Sequence, residues 1–155
     1  MEMEIFVVTN LDAENSEEVI RKLGSVLLEN GFVKPSFIPA TIERERSVPT
    51  GLELMGGINV ALPHAGVEHV IKPALAVAKL KKEVEFRRMD EPESKIPVRI
   101  VFMPAIENPH SYIVTLQKLV EIFKNPDLMR EIAGRENPNE IKSLLASHLA
   151  RILSR

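Results

Sequence analysis

Hydrophobic positions in this chain follow two periods, and the period changes at turn residues. Apolar and β-branched runs of strand length occur at Glu4-Ile5-Phe6-Val7-Val8-Thr9, at Val60-Ala61-Leu62, from Ala74 to Leu80 and from Pro97 to Ala105. The Ala74 to Leu80 run is nearly continuous, which suits a strand buried on both faces. Val84 and Phe86 lie in the charged stretch Lys81 to Lys95 and predict a turn or a short edge strand, with Met89 to Ser94 as an exposed loop. Helical spacing appears between these runs. Ser16 reads as an N-cap with Glu17 and Glu18 in the first turn, and Val19, Leu23, Val26 and Leu27 form one face up to Asn30-Gly31. Phe37, Ile38, Thr41 and Ile42 carry a second helix into Glu43-Arg44-Glu45-Arg46, where Glu43, Glu45 and Arg46 read as a solvated helix end. Ser47 to Gly57 reads as a loop or short hairpin.

From about Pro109 the pattern is helical. Tyr112, Leu116, Leu119 and Phe123 form a stripe, Asn125-Pro126-Asp127 starts a short helix through Ala133, and a last helix begins near Pro138. That helix carries Ile141, Leu144, Leu145, His148, Leu149 and Ile152 on one face, which makes His148 structural. The expected fold is α/β: a single layered domain with a mixed, largely parallel central sheet of about five strands, flanked by helices and ending in a helical stretch. A length of 155 residues suits one core, so residues 1–155 read as one domain.

Composition narrows the function classes. Apolar residues make up 45% and charged residues 27%, as in ordinary globular proteins, and no apolar run approaches the roughly 20 residues that cross a bilayer. The start, with Glu2 and Glu4, has no basic segment or apolar core of a signal peptide, so the expected location is the cytoplasm without membrane insertion. A net charge of −2 and few aromatic residues argue against nucleic acid as a partner. Cysteine is absent, which removes disulfides and thiolate chemistry.

The candidate chemistry centres on Pro63-His64-Ala65-Gly66, where an apolar strand stops at a proline and a histidine follows on a turn. Such an imidazole can fix one nitrogen by a hydrogen bond and offer the other as nucleophile or ligand, or it can simply cap the turn. His110 also follows a strand ending in a proline-containing turn and lies at a helix start. If the two strands are parallel neighbours, both histidines converge at their carboxyl ends, and with an arginine they would suit a phosphoryl group. His64, His69 and His110 could instead ligate zinc, but no HExxH pattern supports a metal. No GxSxG and no glycine-rich nucleotide loop occur either, so neither metal nor cofactor is expected.

Arg44-Glu45, Pro49-Thr50-Gly51, Ile58 to His64, the Ala74 to Leu80 strand and Val101 to Ala105 through His110 together resemble the enzyme IIA domain of the fructose–mannitol type, from bacterial phosphoenolpyruvate-dependent sugar phosphotransferase systems. Pro49-Thr50-Gly51, Phe86-Arg87-Arg88 and Glu107-Asn108-Pro109 look most like its galactitol branch. The resemblance implies that His64 accepts a phosphoryl group from the histidine-containing phosphocarrier protein and passes it to a cysteine of an enzyme IIB. It implies further that Arg44 is the active-site arginine, that His110 is the supporting histidine and that a membrane IIC component is an indirect partner. The sugar would be galactitol or a related polyol. Relatives that regulate a transcription factor or transporter through their phosphorylation state give the alternative. His69 falls at the rim of such a site, and Leu54, Met55 and Met103 are either an apolar docking rim or plain core.

Overall fold

In the computed structural model, residues 3–153 are described, with side chains through residue 149. The strands are β1 (Glu4–Leu11), β2 (Val60–Ala61), β3 (Ala74–Arg87) and β4 (Lys95–Ala105), and the helices are α1 (Ser16–Glu29), α2 (Phe37–Ser47), α3 (Pro109–Phe123), α4 (Pro126–Gly134) and α5 (Pro138–Leu153). The four strands form one mixed sheet in the order β1-β3-β4-β2. β1 runs parallel to β3 and β2 parallel to β4, while β3 and β4 form a long antiparallel hairpin.

The sheet has four strands rather than about five because the expected turn after Leu80 does not form. The chain continues as β3 to Arg87, with one irregularity in register between Lys79 and Val84. Its sequence explains this: Val84 and Phe86 are buried while Glu83 and Glu85 are exposed, so the two-residue period persists and only one face becomes wet. Arg88 to Ser94 then closes the hairpin, with Arg88 N–H donating to Ser94 O at 2.9 Å.

Alternation along β3 and β4 divides the core into two layers. Ala74, Ala76, Ala78, Val101 and Met103 face α1 and α2, while Leu75, Val77, Ile100 and Phe102 face α3, α4 and α5. Small alanines on the first face let α1 approach closely with Val19, Ile20, Leu23 and Leu27. Each large side chain buried completely, such as Phe102 or Leu23, contributes about 1.5–3 kcal/mol relative to its exposed state. Met103 is therefore core, Leu54 is half-buried, and of the proposed rim only Met55 is open, at 87% exposure.

The helix ends follow their local chemistry, with one shift. Asn15, not Ser16, caps α1: its Oδ1 accepts from Glu18 N–H at 2.9 Å. At the other end Asn30 is the C-cap and Gly31 takes φ +79°, a conformation that favours glycine. Asn108 and Asn125 cap α3 and α4, each followed by proline. His148 is half-buried with Nδ1 2.9 Å from Leu144 O, in keeping with a structural role, and Ile152 lies outside the residues whose side chains are described.

Candidate active site

The parallel pairing of β2 with β4, Val60 opposite Ile100 and Ala61 opposite Val101, brings their carboxyl ends to one edge of the sheet. His64 follows β2 there, and the start of α3 follows β4. Beyond Ala61 the backbone is still anchored: Leu62 N–H donates to Thr50 Oγ1 at 2.9 Å. Pro63 has no N–H to extend the ladder, and His64 curls back so that Nδ1 lies 2.6 Å from Leu62 O. The fixing carbonyl is that of Leu62, the residue before the Pro63–Gly66 turn.

A carbonyl oxygen can only accept, so Nδ1 carries the hydrogen and the neutral ring keeps its lone pair on Nε2. Among the described residues nothing hydrogen-bonds Nε2. His64 is only 6% exposed. That burial pushes its pKa below the ordinary histidine value; the Leu62 bond opposes the shift, and the charge of Arg44 adds to it. At neutral pH the ring is uncharged and nucleophilic at Nε2.

Arg44 stands near the end of α2, exposed, and its charge is felt by His64, Glu45 and Tyr112. Other arginines are engaged: Arg46 pairs with Glu17, and Arg88 with Glu53 and Asp90. Among the described residues no carboxylate lies within ion-pair distance of Arg44. Its guanidinium is a cation whose charge reaches His64 and that is not committed to a carboxylate.

His110 is the second residue of α3, where its N–H and that of Ser111 donate to Asn108 Oδ1 at 3.0 and 3.1 Å. Its side chain is exposed and makes no hydrogen bond, ion pair or ring contact among the described residues. The side chain of α3 that meets His64 is Tyr112, with ring centroids 5.6 Å apart and planes at 61°. Burial raises the Tyr112 phenol above its usual pKa, the charge of Glu68 adds to this, and Arg44 opposes it. Glu68 also reaches over the turn, since a Cβ on Gly66 would collide with its carboxylate. His69 holds it there: Nε2 lies 3.2 Å from Glu68 Oε1 and Nδ1 2.8 Å from Ser36 Oγ. His69 is a strut at the rim, and among the described residues no group of three or more His, Asp or Glu side chains could hold a metal ion.

Glu45 departs from its expected place. It is 8% exposed, not solvated, and accepts from Thr50 N–H at 2.9 Å and from Thr50 Oγ1 at 2.8 Å. Burial raises its pKa from 4.5 to about 7, against the two Thr50 hydrogen bonds and the charges of Arg87 and Arg44. Thr50 is itself held in place by Gly51, whose N–H donates to Arg87 O at 3.0 Å and whose O accepts from Met89 N–H at 2.9 Å. A Cβ on Gly51 would lie 2.6 Å from Arg87 O, so glycine is required by the close approach to β3. The signal for this cluster is the Pro49-Thr50-Gly51 motif, whose threonine lies five residues beyond Glu45; Tyr112 carries no signal beyond being the sole tyrosine of the stripe.

Fold and site describe an α/β protein that offers one buried, neutral imidazole, with a free Nε2 and an unpaired arginine beside it, at the ends of two parallel strands. Comparison with known proteins gives that description its family. Residues 3–148 match the family "Phosphoenolpyruvate-dependent sugar phosphotransferase system, EIIA 2", and the chain belongs to it. It is a IIA-type phosphotransferase component. The mannitol-specific EIICBA component of Pasteurella multocida is 31% identical over 142 residues, 90% of this chain and 22% of that protein. The chain thus spans about a fifth of the length of such mannitol-specific relatives. The galactitol-specific EIIA component of Escherichia coli K12 is 26% identical over 128 residues, covering 83% of this chain and 84% of that protein. Among solved structures, E. coli IIA mannitol in complex with phosphorylated IIB mannitol shares the fold at a TM-score of 0.70 and 24% identity, over 91% of this chain and 94% of that one.

Proposed function

We propose that this chain is the phosphoryl carrier of a sugar phosphotransferase system, with His64 as acceptor. The carrying observation is the His64 ring itself: Nδ1–H is committed to Leu62 O, and Nε2 is left as the only nucleophilic nitrogen. The phosphorylated histidine-containing phosphocarrier protein presents the group in line with Nε2. The donor's P–N bond breaks as the new N–P bond forms, and the donor nitrogen recovers its lone pair. Positive charge that develops on the His64 ring is shared with Leu62 O through the retained Nδ1 hydrogen. Arg44 supplies positive charge to the equatorial oxygens, where a planar guanidinium can make two parallel hydrogen bonds. His110 opens α3 at the same edge and donates a further hydrogen bond once the group is bound.

In the second step a cysteine thiolate of an enzyme IIB attacks phosphorus, the N–P bond breaks, and Nε2 regains its lone pair. A membrane IIC component then couples the IIB phosphoryl group to uptake of galactitol or a related polyol. The work is done in the cytoplasm, and among the described residues no helix is long and apolar enough to cross a membrane. The galactitol-specific component, of which this chain covers 84%, supports that substrate class.

The test is transfer from phosphoenolpyruvate through enzyme I and the phosphocarrier protein, followed by intact mass and mapping. One acid-labile, base-stable phosphate on His64 is expected, absent in His64→Ala. His110→Ala should still be phosphorylated and should pass the group to IIB more slowly. Stoichiometric phosphate on folded His64→Ala would refute the assignment.

A further inference from the structure

We infer that Glu45 is a positioning residue for His64, acting through Thr50 and the Leu62 backbone. The inference rests on His64 being the acceptor, and it assigns that site a support on the far side of the strand. Four hydrogen bonds connect the two residues without a gap. Thr50 gives both its N–H and its hydroxyl hydrogen to the two oxygens of Glu45, at 2.9 and 2.8 Å. Because that hydroxyl hydrogen is committed, the lone pairs of Thr50 Oγ1 face the other way, and one accepts Leu62 N–H at 2.9 Å. The same Leu62 residue then presents its carbonyl to His64 Nδ1 at 2.6 Å.

In the ionised form of Glu45 the direction of each bond is fixed by its ends: the carboxylate can only accept, a backbone N–H can only donate, and the threonine hydroxyl does one of each to join them. The result fixes the peptide that carries Leu62 N–H and, through the Leu62 Cα, the following peptide that carries its carbonyl, which selects the tautomer and orientation of the imidazole. A carboxylate that orients a catalytic imidazole usually touches it directly. Here it works at a distance, because Pro63 leaves Leu62 N–H as the last backbone donor before His64 and that donor takes Thr50 Oγ1 as its partner. Two further contacts hold the support still. The Arg87 guanidinium donates to the backbone carbonyls of Arg46 and Glu45, and Gly51 is in hydrogen-bonded contact with the end of β3. Consecutive residues near the end of α2 therefore serve one histidine by two routes: Arg44 through its charge, Glu45 through hydrogen bonds.

The test uses the full chain and the variants Glu45→Gln, Thr50→Val, Thr50→Ser and the double Glu45→Gln/Thr50→Val. In each, the rate of phosphorylation by the phosphocarrier protein is read beside the 15N shifts of the His64 ring. Glutamine turns its NH2 toward Thr50 Oγ1 and leaves the hydroxyl hydrogen without an acceptor, and valine removes the hydroxyl. Each should slow transfer by about 10- to 100-fold, the usual scale for a group that orients a ligand from behind. Each should also move the His64 nitrogen shifts toward a mixture of tautomers. Serine should restore both readouts, and the double variant should be no slower than the slower single one, because the two residues act as one unit. If the valine chain does not fold, Glu45→Gln with the serine variant decides the matter. Rates and ring shifts like those of the parent in folded Glu45→Gln would overturn the inference, as would multiplicative losses in the double variant. Phosphate arriving elsewhere in His64→Ala would instead overturn the acceptor assignment, while the tautomer readout would still judge Glu45.

Discussion

Replacing Glu45 by glutamine should make the protein more stable at alkaline pH while it slows phosphoryl transfer, and the two effects have separable origins. Burial raises the Glu45 pKa from 4.5 to about 7 in the folded chain. The unfolded chain releases that proton near 4.5, so between these values the folded state binds more protons than the unfolded one, and stability falls as pH rises. The 2.5-unit separation corresponds to about 3 kcal/mol once both states are ionised, at about 1.4 kcal/mol per unit. At pH 8 most of this penalty is present, and at pH 5 less than about 1 kcal/mol of it is, so the parent should lose about 2 to 3 kcal/mol across that interval from this group alone. Glutamine carries no charge to desolvate and should not show this loss. Its poorer fit to Thr50 costs about 1 kcal/mol at every pH, which leaves it the more stable chain at pH 8 and the equal or weaker one at pH 5. Urea unfolding of both proteins at the two pH values measures the difference. A gap between parent and variant that is the same at pH 5 and pH 8 would refute the raised pKa and the reasoning built on it.

Arg44→Lys keeps the charge but not the planar fork. His64 should still titrate below its ordinary value by NMR while phosphorylation slows about 10-fold, the loss of one charge-assisted hydrogen bond. Arg44→Ala should in addition raise the His64 pKa, since Arg44 contributes to its depression. Stability should change by less than about 0.5 kcal/mol in either, because Arg44 is exposed. Gly51→Ala places a methyl against Arg87 O and should cost about 1–3 kcal/mol in thermal unfolding, with slower transfer because Thr50 moves with it. Tyr112→Leu should leave the tautomer of His64 in place, since Leu62 holds it, yet broaden the ring signals by removing the edge contact at 5.6 Å.

Periodicity made the helices and most strands legible, because each buries one face and the spacing of that face is written locally. The break expected after Leu80 failed for the opposite reason. Lys81, Lys82 and Glu83 look like a turn when read by charge, yet Val84 and Phe86 continue the same inward face, and pairing with Val98 and Ile96 carries the strand on past the irregularity. That pairing is made with residues ten or more positions away and is invisible in a local window. The site divides along the same line. His64 was legible from the proline before it and Arg44 from the family pattern, since both lie in stretches whose chemistry is local. Glu45 reads as solvated from the charged run Glu43-Arg44-Glu45-Arg46 at a helix end, and only the hydrogen bonds from Thr50 make it a buried acceptor. His110 was legible as a residue at the right edge, but which side chain of α3 meets His64 depends on how the helix leaves Asn108, and there Tyr112 makes the contact.

A phosphoryl carrier must be easy to load and easy to unload, so neither form can be held too tightly. On the proposed reading, one pair of groups meets both demands. Before transfer, burial and the Arg44 charge keep His64 neutral and Nε2 available. After transfer the same charge faces a dianion and stabilises it, so Arg44 favours loading twice over. Two features limit the effect. Arg44 is exposed, and the water around it weakens its hold far below what a buried pair would give. Glu68, whose carboxylate lies against Gly66 and 3.2 Å from His69 Nε2, sets a negative charge beside the His64 turn that opposes a bound dianion. On this reading a screened cation and a nearby anion hold the phosphoryl group weakly enough for a thiolate to take it, while the proposed Glu45 to Leu62 support keeps the ring aimed for both transfers.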